Sequence, residues 1–113
     1  MSEQQIESVD LFRLEELINT KNIVVVDFWA PWCAPCLAFA DVFARVAQEE
    51  AAICFVKMNI ADSPPEVMET LAIQSIPHLM IFKQGAAVFS EAGTMPYNVL
   101  KDLVVQAKQL EIQ

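Results

Sequence analysis

Val24-Val25-Val26-Asp27-Phe28-Trp29-Ala30-Pro31-Trp32-Cys33-Ala34-Pro35-Cys36 carries the chain from a β pattern into a helical one, with two cysteines at the junction. Ile23 to Trp29 is a β-branched and aromatic run broken only by Asp27, which predicts a strand covered on both faces. After Cys36 the apolar residues return at helical spacing to about Glu50. Phe39, Val42, Phe43 and Val46 form one stripe, and Ala38, Asp41, Arg45 and Gln48 form the solvent stripe. Cys33 therefore falls at a helix N-terminus, where unpaired backbone N–H groups and the helix dipole favour thiolate over thiol. A lowered pKa makes such a sulfur a nucleophile near neutral pH. Cys36, one turn further in, is placed to attack a mixed disulfide formed on Cys33. Pro35 lacks an N–H, but the first helical turn has no partner for one.

The rest of the chain reads around this segment. Ile6 marks a short first strand. Ser8 or Asp10 caps a helix to about Thr20, with Leu11, Leu14, Leu17 and Ile18 on its apolar side, and Lys21-Asn22 breaks it. Ile53 to Asn59 is a second buried strand. Ser63-Pro64-Pro65-Glu66 reads as a capping box with proline at the first helical position, opening a helix to about Ala72. His78–Phe82 and Ala86–Ser90 are strands around a Lys83-Gln84-Gly85 hairpin turn, and Gly93 suggests a bulge or a close backbone approach. Pro96 opens a last helix with Val99, Leu100, Leu103, Val104 and Ala107 apolar. The order βαβαβαββα predicts an α/β fold, a mixed central β-sheet flanked by helices on both faces. The 113 residues suffice for one core, so 1–113 is expected to be a single domain.

Composition narrows the function. The net charge is −8 and the seven basic residues are scattered, which argues against a nucleic-acid partner. No apolar run is long enough to cross a bilayer, so no membrane partner is expected. Met1-Ser2-Glu3-Gln4-Gln5 is polar and acidic rather than basic and apolar, so a complete sequence is expected to be cytoplasmic, and a trimmed mature form would look the same. Three cysteines do not make a disulfide framework. Cys33, Cys36, Cys54 and His78 could in principle ligate zinc. Cys54 is centred in a strand pattern, however, and a second close-spaced ligand pair is missing, so no metal is expected.

The stretch Val24 to Cys36 resembles the active-site segment of the thioredoxin family. Lys57 in Phe55-Val56-Lys57-Met58-Asn59-Ile60, the Ile76-Pro77 turn, the Phe82-Lys83-Gln84-Gly85 hairpin and Gly93 match the family in register, so the resemblance covers nearly the whole chain. It implies the thioredoxin fold, with the fourth strand antiparallel and Ile76-Pro77 in cis. It implies a protein dithiol–disulfide oxidoreductase that reduces client disulfides through Cys33 and Cys36. No cofactor would be bound. Reducing equivalents would come from NADPH through a flavin-containing thioredoxin reductase. A monomer is expected. Asp27 and Lys57 would assist the cysteines, and Trp32, Ala34, Pro35, Ile76, Pro77 and Gly93 would meet the client. The chain departs from the family pattern at Ala34, where glycine is common, and at Leu37, where a basic residue is usual. It departs again at Asp41, in place of a helix-kinking proline, and at His78, where threonine is common.

Each supporting residue also has a plainer reading. Asp27 is either a buried proton acceptor for Cys36 or a strand-end acid facing water. Lys57 either tunes Asp27 or snorkels to the surface. Trp32 is expected at the docking surface, and Trp29 beneath the active-site loop as core. Pro77 without the resemblance is an ordinary strand-start proline. Cys54 reads as a small buried apolar residue. His78 either reaches the sulfurs or, by strand alternation, turns to the opposite face. Two rival functions remain: an oxidase or isomerase of an oxidising compartment, and a binding subunit that uses the fold as a scaffold.

Overall fold

A computed structural model describes residues 6–111; the reading of Met1 to Gln5 as a polar start lies outside them. The elements are β1 (Glu7–Ser8), α1 (Leu11–Thr20), β2 (Ile23–Trp29), α2 (Ala34–Glu49), β3 (Cys54–Asn59), α3 (Pro65–Thr70), β4 (His78–Lys83), β5 (Ala86–Ala92) and α4 (Tyr97–Gln109), with a 3₁₀ turn at Ile60–Asp62. The sheet order is β1-β3-β2-β4-β5. β3 is parallel to both β1 and β2, while β4 runs antiparallel to β2 and to β5. The expected mixed sheet with an antiparallel fourth strand is present.

β2 lies at the centre, and its residues from Ile23 to Phe28 are all buried. Strand alternation divides them between two cores. Ile23 and Val25 pack with Phe39, Phe43 and Val46 of α2 and with Leu100 and Val104 of α4. Val24, Val26 and Phe28 pack with Leu14 and Leu17 of α1, Val56 and Met58 of β3, and Val67 of α3. An apolar strand with no polar face is what a sheet covered on both sides requires.

Several local expectations shift. The first strand begins one residue after Ile6, and Glu7 and Ser8 pair with Val56 and Lys57. Asp10, not Ser8, caps α1, its carboxylate accepting from the Arg13 N–H at 2.8 Å. The Ser63 capping box does not form. Pro65 follows Pro64, and a residue before proline avoids the helical region, so Pro64 stays extended and becomes the N-cap. The Ser63 hydroxyl instead donates to the Asn59 carbonyl at 3.2 Å. α3 ends at Thr70, two residues short of Ala72, which has φ +58°.

In the β4–β5 hairpin only Gln84 and Gly85 form the turn, with φ of +52° and +86°, the pair of positive values that tight hairpins demand. Lys83 belongs to β4 and is buried. Its ammonium donates to the carbonyls of Ala107 at 2.7 Å, Lys108 at 3.1 Å and Leu110. It thereby adds a donor for carbonyls at the end of α4, where the helix runs out of N–H partners; the Ala107 carbonyl also accepts the Leu110 N–H at 3.3 Å. Val99, expected on the apolar side of α4, is exposed.

Candidate active site

β2 ends at Trp29 and the chain turns through Ala30, Pro31 and Trp32 into α2. Ala30 is fully buried, and its carbonyl accepts the Cys33 N–H at 3.1 Å, closing the turn. Cys33 occupies the N-cap of α2 in extended conformation, and its sulfur accepts the Cys36 N–H at 3.2 Å. This is the electrostatic arrangement expected of an activated sulfur: a helix N-terminus and a backbone donor aimed at Sγ. Cys33 and Cys36 are joined as a disulfide, with their Cα atoms 5.2 Å apart. Both are buried, Cys33 at 6% exposure and Cys36 at 1%, packed with Ala30 and flanked by Trp29, Ile60 and Ile76.

The backbone opposite the disulfide comes from the segment before β4. The Ile76-Pro77 peptide is cis. The Ile76 carbonyl oxygen lies 3.8 Å from Cys33 Sγ. The Pro77 carbonyl accepts the Gly93 N–H at 2.8 Å, which ties the end of β5 to this turn. Gly93 has φ +107°, and open space surrounds the position a Cβ would take, so backbone conformation rather than close approach calls for glycine. Around the sulfurs Trp32 is 71% exposed and Leu37 52%, giving an apolar rim, with Ala34 and Pro35 also exposed. Pro77 itself is buried.

Asp27 is 3% exposed, on the α2 and α4 side of the sheet, in register between Lys57 of β3 and Leu79 of β4. Among the described residues its Oδ1 has no hydrogen-bond partner. Burial pushes its pKa up to about 7, against the opposing pull of the Lys57 charge. The reading of Asp27 as an acid facing water is thus excluded by its burial. Lys57 is half-buried, with its ammonium 5.4 Å from the centre of the Trp29 ring. Trp29 is half-buried against Ala30 and the two cysteines, and among the described residues its Nε1 has no hydrogen-bond partner.

The four conceivable zinc ligands are not gathered. Cys54 begins β3 opposite Val24, at the far end of the strand pair from Trp29 and Asn59. It is half-buried rather than fully enclosed, and burial raises its thiol pKa. The His78 ring meets Phe28 edge-on at 6.3 Å, on the sheet face away from Asp27, and its Nε2 lies 2.8 Å from the Ser90 hydroxyl. Alternation along β4 thus turns the ring from the sulfurs. Two contributions at the site escaped the sequence: the Ala30 carbonyl, and Ile60, which packs on the dithiol from a 3₁₀ turn. Neither has a local pattern that marks it.

The Thioredoxin family model matches residues 6–106. A thioredoxin of Pyropia yezoensis is 45% identical over 87 residues, 76% of this chain and 80% of that protein. Thioredoxin 1 of Nostoc sp. is 44% identical over 87 residues, with the same coverage of 76% and 80%. Among solved structures, chloroplastic thioredoxin z superposes with a TM-score of 0.85 at 27% identity, over 97% of this chain and 100% of that one. Thioredoxin f2 of Chlamydomonas reinhardtii does so with a TM-score of 0.83 at 25% identity, over 95% and 100%. A family match over nearly the whole chain, together with a sulfur pair held at the head of α2, means that the chain belongs to the thioredoxin family of thiol–disulfide oxidoreductases, with Cys33 and Cys36 as its redox pair.

Proposed function

We propose that this protein is a cytoplasmic, monomeric reductase of protein disulfides. The observation that carries the reading is the Cys33–Cys36 disulfide at the head of α2, beside the Ile76 carbonyl and bordered by exposed apolar side chains. In the reduced protein the Cys33 thiolate attacks one sulfur of a client disulfide. A bond forms between Cys33 and that sulfur, and the other client sulfur leaves as thiolate. The Cys36 thiolate then attacks Cys33 Sγ and expels the second client sulfur. Two electrons have passed to the client, and the Cys33–Cys36 disulfide remains.

Cys36 must lose its proton to attack. Asp27, with a pKa of about 7, both holds and releases a proton at neutral pH, and we assign it as the acceptor. Lys57 favours its ionised form. Trp32, Ala34, Pro35, Ile76 and Gly93 form the surface that meets the client, with the buried Pro77 shaping the backbone behind it, and an extended client segment pairs with the Ile76 backbone. The dithiol is restored by a flavin-containing thioredoxin reductase drawing on NADPH.

The test is insulin reduction by the purified protein with NADPH and a thioredoxin reductase. Turnover that disappears in Cys33→Ser supports the reading. Absence of turnover in the wild type, with an intact dithiol, overturns it.

A further inference from the structure

His78 and Ser90 lie outside the chemistry above, yet they brace the backbone that carries it. β5 is an edge strand of the sheet, and most of its residues are exposed. Its last residue, Ala92, pairs with His78, and the next residue, Gly93, donates to the Pro77 carbonyl at 2.8 Å. The hold on Pro77, and through it on Ile76, therefore depends on the end of β5 staying docked against the start of β4. An edge strand has backbone partners on one side only, so its end is the part of the sheet that frays most easily.

One side-chain link spans that end. His78 is 6% exposed, pressed edge-on against Phe28, and its Nε2 lies 2.8 Å from the Ser90 hydroxyl. Ser90 pairs with Met80, so the link runs diagonally across the two strands on the face away from the disulfide. His78 Nδ1 is buried with no hydrogen-bond partner among the described residues. Burial lowers the ring's pKa, with Glu91 opposing, and a neutral ring carries a single N–H. Ser90 is thus the one polar group described as meeting the ring, and the hydroxyl can accept from the ring or donate to it.

We propose that His78 is a positioning residue for client binding: through Ser90 it holds the end of β5 on β4, so that Gly93 keeps the Ile76-Pro77 backbone presented to the client. This rests on the reading that the client pairs with that backbone. The link touches neither sulfur, so it acts on protein disulfides that must dock and not on small disulfides that need only reach Cys33.

The test compares wild type, His78→Leu, His78→Gln and Ser90→Ala with two substrates, insulin and the small aromatic disulfide DTNB. Loss of one hydrogen bond predicts a KM for insulin about three- to ten-fold higher in His78→Leu and in Ser90→Ala. The kcat and the rate with DTNB should stay unchanged. Combining the two substitutions should cost no more than either alone, since both remove the same link. His78→Gln, which keeps an amide within reach of Ser90, should recover most of the insulin KM. Ser90 is exposed, so its variant folds even if that of His78 does not. An unchanged insulin KM in Ser90→Ala overturns the proposal, as does an equal loss with DTNB. A wild type that reduces DTNB but not insulin overturns the client-docking reading instead.

Discussion

Between Val26 and Phe28, both fully buried, Asp27 carries a carboxyl oxygen with no hydrogen-bond partner among the described residues. Its folded pKa of about 7 stands well above the value of about 4 in an unfolded chain. Between those two values the folded chain keeps a proton that the unfolded chain has released. Stability from this group is therefore fully present below about pH 4 and is lost as pH rises through about 7. Asp27→Ala should remove that slope and stabilise the fold by about 1–3 kcal/mol above neutrality. Urea unfolding of the oxidised protein from pH 4 to 8 measures this without titrating Cys33 or Cys36; parallel curves for wild type and variant would show that Asp27 is not perturbed. The same variant should reduce insulin more slowly near pH 7. The cysteines give a second prediction at this scale. In the reduced protein Cys33 should alkylate with iodoacetamide ahead of Cys54. Cys54 is the more exposed of the two, but burial raises its pKa and holds it as thiol, whereas Cys33 sits at a helix N-terminus. Peptide mapping after a short pulse at pH 7 decides it, and faster labelling of Cys54 or Cys36 would refute the helix-terminus argument.

At the scale of elements, α4 depends on a residue that reads locally as part of a turn. Lys83 lies 5% exposed in β4, and its ammonium reaches three carbonyls at the end of α4. Lys83→Met keeps much of the packing but leaves those acceptors without their cation. The expected cost is about 1–3 kcal/mol, with faster amide exchange in residues 105–111 than elsewhere in α4. A chemical melt with residue-resolved exchange checks both, and an unchanged melt would mean that water replaces the lysine freely. α2 was largely legible: Cys36, Phe39, Phe43 and Val46 are buried, while Ala38, Asp41, Arg45 and Gln48 face solvent. Only Val42 of the expected core stripe is half-buried. α3 was legible at its proline but not at its cap, because two consecutive prolines displaced Ser63 from the position its type suggests.

For the molecule as a whole, the reductase reading makes a statement about potential. A couple near roughly −270 mV is expected, against roughly −120 mV for a strong oxidase. Equilibration with glutathione or dithiothreitol buffers measures it, and a value near the oxidase end would reverse the direction of the proposed reaction. A Cys36→Ser variant should hold clients as mixed disulfides on Cys33, released by reductant. The sequence by itself determined the strand and helix order, the two-faced burial of β2 and the place of the dithiol, because each is written in local periodicity. Apolar spacing reports which faces are covered, and a helix start reports where a sulfur is activated. Only the tertiary structure decided the polar partnerships. His78 meets Ser90 across 12 residues, Lys83 reaches Ala107 across 24, and Cys33 faces Ile76 across 43. A polar side chain finds its partner where the packed sheet and helices bring one within about 3 Å, and no pattern along the chain encodes that approach.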